Sequence, residues 1–188
     1  VSPGVVAALD ANVLVPIVAC DFLLTAFDLG IFEAVVSAET LTEVQRTLIE
    51  DFPHLDPVAI DHRVRSMRIV LEDHTIDTSA VKGVPDTINA KDRHVVAAAL
   101  AGEATVVVTN DGALRAEIRE SDFPFDGVDG DTFVEQLWHD VPTDVEAVIA
   151  ELIAKRRRHP VTQSEMVEQL RVHFPSMTQE LGQGDLRE

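Results

Sequence analysis

The sequence predicts an α/β fold: a three-layer domain with a central parallel sheet between helices, followed by a two-helix C-terminal extension. Three observations predict it. From Val5 to Val141, short β-branched runs alternate with longer stretches of helical periodicity, the pattern of βαβ units. Beyond Pro142 the β-branched runs stop and only helical spacing remains. A chain of 188 residues, 46% of them hydrophobic, can build one packed domain with a short appendage.

Taken in order, Val5 to Leu9 reads as the first strand and Val13 to Leu29 as the helix after it. Ala34 to Val36 forms the second strand. Leu41 to Glu50 forms the next helix, with Thr40 and Glu43 in capping-box spacing at its start. Val64, Met67, Val70 and Leu71 recur at helical spacing and support a helix over Val58 to Leu71. A short strand at Thr75 to Ile76 precedes a helix from Asp92 to Ala101, and Thr105 to Thr109 is the fourth strand. Ala113 to Arg119 and Thr132 to Trp138 are shorter helices on either side of a strand at Gly127 to Val128. Residues 1–141 are thus expected to form the main domain and 142–188 the extension. In the extension, Val145, Val148, Ile149, Leu152 and Ile153 make one helical stripe, ending in Lys155-Arg156-Arg157-Arg158 and Pro160. A second helix opens on the Thr162/Glu165 capping box and carries Met166, Val167, Leu170 and Phe174, while Gly182 to Glu188 is polar and expected to fray.

Composition removes several classes of function. The single cysteine, Cys20, forms no intramolecular disulfide, which suits a reducing, cytoplasmic compartment. The apolar runs, Val13 to Cys20 (broken by Pro16) and Val95 to Ala101, fall far short of the roughly 20 residues that span a bilayer. Val1-Ser2-Pro3-Gly4 carries no basic region before an apolar stretch, so neither a secretory signal nor a membrane partner is expected. No P-loop, no GxGxxG after a strand and no G-x-S-x-G elbow is present.

The charge is unusual. Fifteen Lys and Arg face 33 Asp and Glu, net −18, with a sequence pI near 4.6. The excess lies in residues 1–141, with 9 basic and 25 acidic side chains. Such a surface repels a polyanion unless carboxylates gather divalent cations, and it attracts a basic protein partner.

Four acids occupy corresponding places near strand ends and helix starts. Asp10 ends the first strand, Glu43 lies in the first turn of the helix after the second, Asp92 opens a helix, and Asp111 follows the fourth strand. In open parallel sheets that edge binds ligands, at the point where strand order reverses. Each acid also has a purely structural reading: Asp10 as a helix cap, Glu43 with Thr40 as a capping box, Asp92 with Asn89 as a looser one, and Asp111-Gly112 as a turn. Caps alone do not predict acids at successive strand exits beside small residues such as Ala11 and Gly112. Clustered carboxylates without a Cys or paired-His motif point to Mg²⁺ or Mn²⁺ rather than zinc.

The strings Leu9-Asp10-Ala11-Asn12-Val13-Leu14, Leu41-Thr42-Glu43-Val44, Asp92-Arg93-His94-Val95-Val96-Ala97-Ala98-Ala99 and Val107-Val108-Thr109-Asn110-Asp111 resemble a PIN domain. More narrowly, they resemble the VapC-like toxins of bacterial toxin–antitoxin pairs, over Val5 to Trp138. The resemblance implies a metal-dependent endoribonuclease with Asp10, Glu43, Asp92 and Asp111 as its acidic constellation. Asn12, Thr109 and Asn110 would be polar supports around it. Asp10, Asp92 and Asp111 would hold Mg²⁺ or Mn²⁺, and Glu43 would hold the attacking water or act as base. It further implies an RNA substrate, products with 5′-phosphate and 3′-hydroxyl ends, a basic antitoxin and a homodimer. Many PIN domains carry a further Asp just past the fourth-strand acid, where this chain has Gly112, Ala113 and Leu114, so a minimal metal site is implied.

Other residues carry weaker signals. His94, two positions from Asp92, is expected to point away from it and to be structural. Arg46 and Arg93 are expected to salt-bridge the nearby acids, and Trp138 to anchor the core. The Lys155–Arg158 run reads equally as a solvated helix end or as a contact for RNA or a partner. Two rival readings stay open: an aspartate-based phosphotransfer or phosphatase domain with Asp10 as nucleophile, and a catalytically inactive PIN-fold binding module docking a partner through its C-terminal helices. With Asn12 where a second Asp would stand, the first rival lacks part of its motif.

Overall fold

The computed structural model describes residues 4–184. Five strands, β1 (Val6–Leu9), β2 (Glu33–Ser37), β3 (Thr75–Ile76), β4 (Val106–Val108) and β5 (Asp126–Val128), form one all-parallel sheet in the order β3-β2-β1-β4-β5. The chain runs outward from β1 through β2 to β3, then returns to the other side of β1 for β4 and β5. The switch point therefore lies between β1 and β4, whose last residues, Leu9 and Val108, are register partners.

Alternation along the strands builds two cores. Ala7, Leu9, Ala34, Val36 and Val108 face one layer of helices, while Ala8, Val35 and Val107 face the other. The first layer contains α1 (Ala11–Leu14), α2 (Ile17–Asp28), α3 (Ala38–Asp51), α4 (Pro57–Val70) and α7 (Gly130–Asp140). The second holds α5 (Arg93–Ala101) and α6 (Gly112–Arg119), packed through Val95, Val96, Ala99, Leu114 and Ile118. Gly102 ends α5 against β2 so closely that an added Cβ would stand 2.7 Å from Val35 Cγ1.

Local chemistry explains where the elements differ from sequence expectation. The single helix expected over Val13 to Leu29 is two, because Pro16 has no N–H and sits in extended backbone between α1 and α2. Arg63 on α4 occupies the break, its Nη2 donating to the carbonyls of Leu14 and Val15 at 2.8 and 2.9 Å. Gly30, at φ +72°, then closes α2: its N–H bonds the Phe27 carbonyl and Ile31 N–H the Ala26 carbonyl, a Schellman arrangement. The next helix, α3, starts three residues before Leu41. Ser37 is its cap, accepting from Thr40 N–H at 2.9 Å, so the expected Thr40/Glu43 capping box does not form.

Among the described residues the extension has three helices rather than the two expected, α8 (Pro142–Lys155), α9 (Gln163–Arg171) and α10 (Pro175–Gly184). Phe174 is not a helix end but the junction to α10, which opens on Pro175 at a position that needs no N–H. The Thr162/Glu165 capping box of α9 forms as expected. Val145, Val148, Ile149, Leu152, Met166, Leu170, Phe174 and Met177 join the same core as α2 and α7, with Trp138 packed at its edge. Phe174 stands 5.2 Å from Phe22 of α2, ring centre to ring centre. Asp131 at the start of α7 receives both Ser176 N–H and Ser176 Oγ, at 3.0 and 2.8 Å, fixing α10. Of the polar tail expected to fray, residues 185–188 lie outside the described residues. No helix of the described residues is long and apolar enough to cross a membrane.

Candidate active site

The switch point brings the four acids together. Asp10, Glu43, Asp92 and Asp111 line one cleft of about 350 Å³, with Asn12, Thr47 and Lys91. Asp10 leaves the end of β1 and Asp111 follows β4; Asp92 precedes α5; Glu43 projects from α3. Because α3 starts at Ala38, Glu43 lies in its second turn, not its first.

Asp10 is the most enclosed member, 4% exposed. Its Oδ1 accepts from Ala11 N–H at 2.7 Å, capping α1. Its Oδ2 accepts from Thr109 Oγ1 and from Asn12 Nδ2, both at 2.6 Å. Asn12 Nδ2 also reaches Thr109 Oγ1 at 3.0 Å, and its Oδ1 accepts from Asn110 N–H at 2.8 Å. Asn12 and Thr109 thus hold Asp10 directly. Asn110 supports at one remove, with its Oδ1 receiving Gly130 N–H at 3.1 Å. Burial pushes the Asp10 carboxyl up; the Thr109 and Ala11 donors pull it down, and the Glu43 charge adds to the rise.

Asp111 is divided between two tasks. Oδ1 caps α6 by accepting from Ala113 and Leu114 N–H at 2.8 and 3.3 Å, while Oδ2 meets Lys91 Nζ at 3.0 Å. The Lys91 ammonium and these backbone donors hold its carboxyl below the usual range. Asp92 stands at the cap position of α5 yet makes no side-chain cap, and the looser Asn89/Asp92 box does not form: Asn89 Oδ1 accepts from Lys91 N–H, and Asn89 N–H goes to Glu117 Oε2. Lys91 Nζ lies 3.6 Å from its Oδ2. Burial raises the Asp92 carboxyl, Lys91 opposes this, and Asp10, Asp111 and Glu117 add repulsion.

Glu43 pairs with Arg46 at 3.0 Å, as the sequence suggested. Arg93 does not pair with the cleft acids: it turns to Asp86 and the carbonyls of Val84 and Pro85, bracing the loop before α5. His94 reaches Glu43. Its Nδ1 is 2.8 Å from Ser37 Oγ and its Nε2 3.6 Å from Glu43 Oε2. Sequence reasoning missed two partners of the acids, this His94 contact and Lys91. Lys91 adjoins Asp92 in sequence, a signal available in principle; Glu43 and His94 lie 51 positions apart and only the fold joins them.

The donor set suits a hard divalent cation. Every acidic ligand atom in the cleft is a carboxylate oxygen, no Cys or His lines it, and an ammonium already rests against two of the carboxylates. Among the described residues, the trio whose ligand atoms all lie within 4.8 Å of one another is Glu135, His139 and Glu180, on α7 and α10; no three of the cleft acids stand that close, so a cation there would draw them inward.

An all-parallel sheet between two layers of helices, with carboxylates at its switch point, defines an α/β protein whose acids stand at the edge where open parallel sheets generally bind ligands. A family model described as the PIN domain matches residues 6–113, from β1 to the first turn of α6, and the chain belongs to the PIN-domain family. No curated protein and no solved structure matches the chain. PIN domains are typically metal-dependent nucleases, which places the chemistry at the coarse level of phosphodiester hydrolysis in nucleic acid.

Proposed function

We propose that this chain is a Mg²⁺- or Mn²⁺-dependent endoribonuclease, the toxin of a type II toxin–antitoxin pair acting in the cytoplasm. The observation that carries the reading is the cleft itself: four carboxylates from four separate elements converge, and two of them, Glu43 and Asp92, are engaged by no helix cap. Asp10, Asp92 and Asp111 would hold the cation. When bound, it supplies Lewis acidity and neutralises charge on the phosphate oxygens. Thr109 and Asn12 fix the Asp10 carboxylate, so that its orientation is set before substrate arrives. Glu43 holds the attacking water or takes its proton, oriented by Arg46 and by His94 on its other side. Residues 1–141 carry this chemistry in our reading, with 142–188 as an extension whose described helices, Pro142–Gly184, pack on α2 and α7.

The partners follow from charge. With net −18, the chain favours a basic antitoxin, and a cleft that receives the ammonium of Lys91 can receive a side-chain cation from such a partner. The phosphotransfer rival loses ground because Asn12 stands where such a site would carry its second Asp, and that Asn12 donates to Asp10 Oδ2 instead of offering a carboxylate.

Single-stranded RNA incubated with the protein and Mn²⁺ tests the reading. The expected products carry 5′-phosphates and are degraded by a 5′-phosphate-dependent exonuclease, and Glu43→Gln slows cleavage by about 10²–10⁴. Intact RNA with the folded protein would instead favour the binding module, and a beryllofluoride adduct at Asp10 the phosphotransfer domain.

A further inference from the structure

We infer that Lys91 is a resident counter-cation of the carboxylate cleft, one that a divalent ion must displace from Asp111 and Asp92 in order to bind. The inference rests on the reading of these acids as a metal site and concerns how that site is regulated. Lys91 Nζ lies 3.0 Å from Asp111 Oδ2 and 3.6 Å from Asp92 Oδ2, bridging the starts of α6 and α5. The oxygens it touches are those that the backbone leaves available. Asp111 Oδ1 is taken by Ala113 and Leu114 N–H, so Oδ2 is the oxygen left for a ligand. Asp92 makes no cap, and its Oδ2 is likewise the ammonium's partner. Ammonium and metal therefore compete for the same atoms.

The other cations nearby do not meet Asp92 or Asp111, although Arg46 pairs with another acid of the cleft. Arg46 binds Glu43; Arg93 binds Asp86 and two carbonyls; Arg115 donates to the Thr109 carbonyl at 2.7 Å and lies 3.9 Å from Asp129. The Lys91 side chain is 60% exposed, with solvent on its outer side, so its flexible stem can swing out when the cleft takes a stronger cation. Two consequences follow. The free protein keeps its repelling acids together without a metal, and metal affinity is set weaker than the carboxylates alone would give.

Mn²⁺ titration calorimetry on wild type, Lys91→Gln and Lys91→Arg tests this, with thermal melts in chelator on the same samples. Two partly exposed ion pairs of ordinary strength make the Gln variant bind about three- to tenfold tighter than wild type. The Arg variant, which keeps the charge, stays near wild type. Without metal, Lys91→Gln melts lower than wild type; with saturating Mn²⁺ the difference closes. A lysine that merely decorates the surface would leave the affinity unchanged. Equal affinity across the three proteins, or weaker binding by Lys91→Gln, overturns the role of Lys91 and leaves the metal site standing. No binding by any of the three removes the metal site and this inference together.

Discussion

Thr109→Val isolates the device that orients Asp10. Thr109 is fully buried at the end of β4. Its Oγ1 donates to Asp10 Oδ2 at 2.6 Å and accepts from Asn12 Nδ2 and Asp111 N–H, each at 3.0 Å. Valine keeps the shape and removes all three bonds. Loss of a hydrogen bond to a buried carboxylate costs about 1.5–3 kcal/mol, and the stranded Asp111 N–H adds about 1 kcal/mol. The extra buried methyl offsets about 0.8 kcal/mol, leaving a net loss of about 2–3 kcal/mol. Urea unfolding at pH 7 in chelator reads this as a midpoint lower by about 1 M, taking a slope of about 2–3 kcal/mol/M. The sign with pH is also fixed. The Asp10 carboxyl is already raised by burial, and Thr109 is the strongest influence lowering it, so the variant raises it further. The added penalty is full above the folded-state value and fades as pH falls toward the ordinary 3.8, so the gap between the proteins narrows in acid. A midpoint within about 0.2 M of wild type at pH 7, or a gap that widens in acid, would refute the reasoning.

In chelator at pH 7, Asp92→Asn unfolds at higher urea than wild type, by about 0.5–1 kcal/mol, because it removes a carboxylate that burial and its neighbours disfavour. The raised Asp92 value makes this gain fade as pH falls toward 3.8, which a pH series of the same melts checks. Cys20 is buried and its thiol pushed up to about 11, so Ellman's reagent leaves it untouched in native buffer and titrates it only in urea. Phe174→Ala empties the contact with Phe22 and lowers stability by about 3–5 kcal/mol in a single unfolding transition. Two transitions would show the extension folding apart from the sheet.

The layered fold was legible because strand and helix periods alternate cleanly from Val5 to Trp138, and the four acids stood out at strand exits. Helix starts were less legible. Ser37 caps α3 directly after ending β2, whereas Thr40/Glu43 mimics a capping box three residues later. Pro16 visibly breaks the apolar run from Val13 to Cys20, but helical spacing on both sides of it, through to Leu29, reads as one helix. The last helix was missed because Met177 and Thr178 are too few buried positions to make a stripe, and its anchor, Asp131, lies 45 residues away. Lys91 and His94 illustrate a different limit. Their roles depend on which helix ends meet at the switch point, and no spacing within one segment encodes that.

The proposed activity stands or falls on one feature, a carboxylate metal site that cleaves RNA. Its most direct test is Mn²⁺ titration calorimetry on wild type, Asp10→Asn and Asp92→Asn, with RNA cleavage measured on the same samples. The account predicts that wild type binds metal and cuts RNA, while both variants fold, bind metal at least tenfold more weakly and leave RNA intact, a loss of about 1.4 kcal/mol or more. Equal metal binding by all three proteins, with RNA intact throughout, would contradict it and leave the four acids as structural groups.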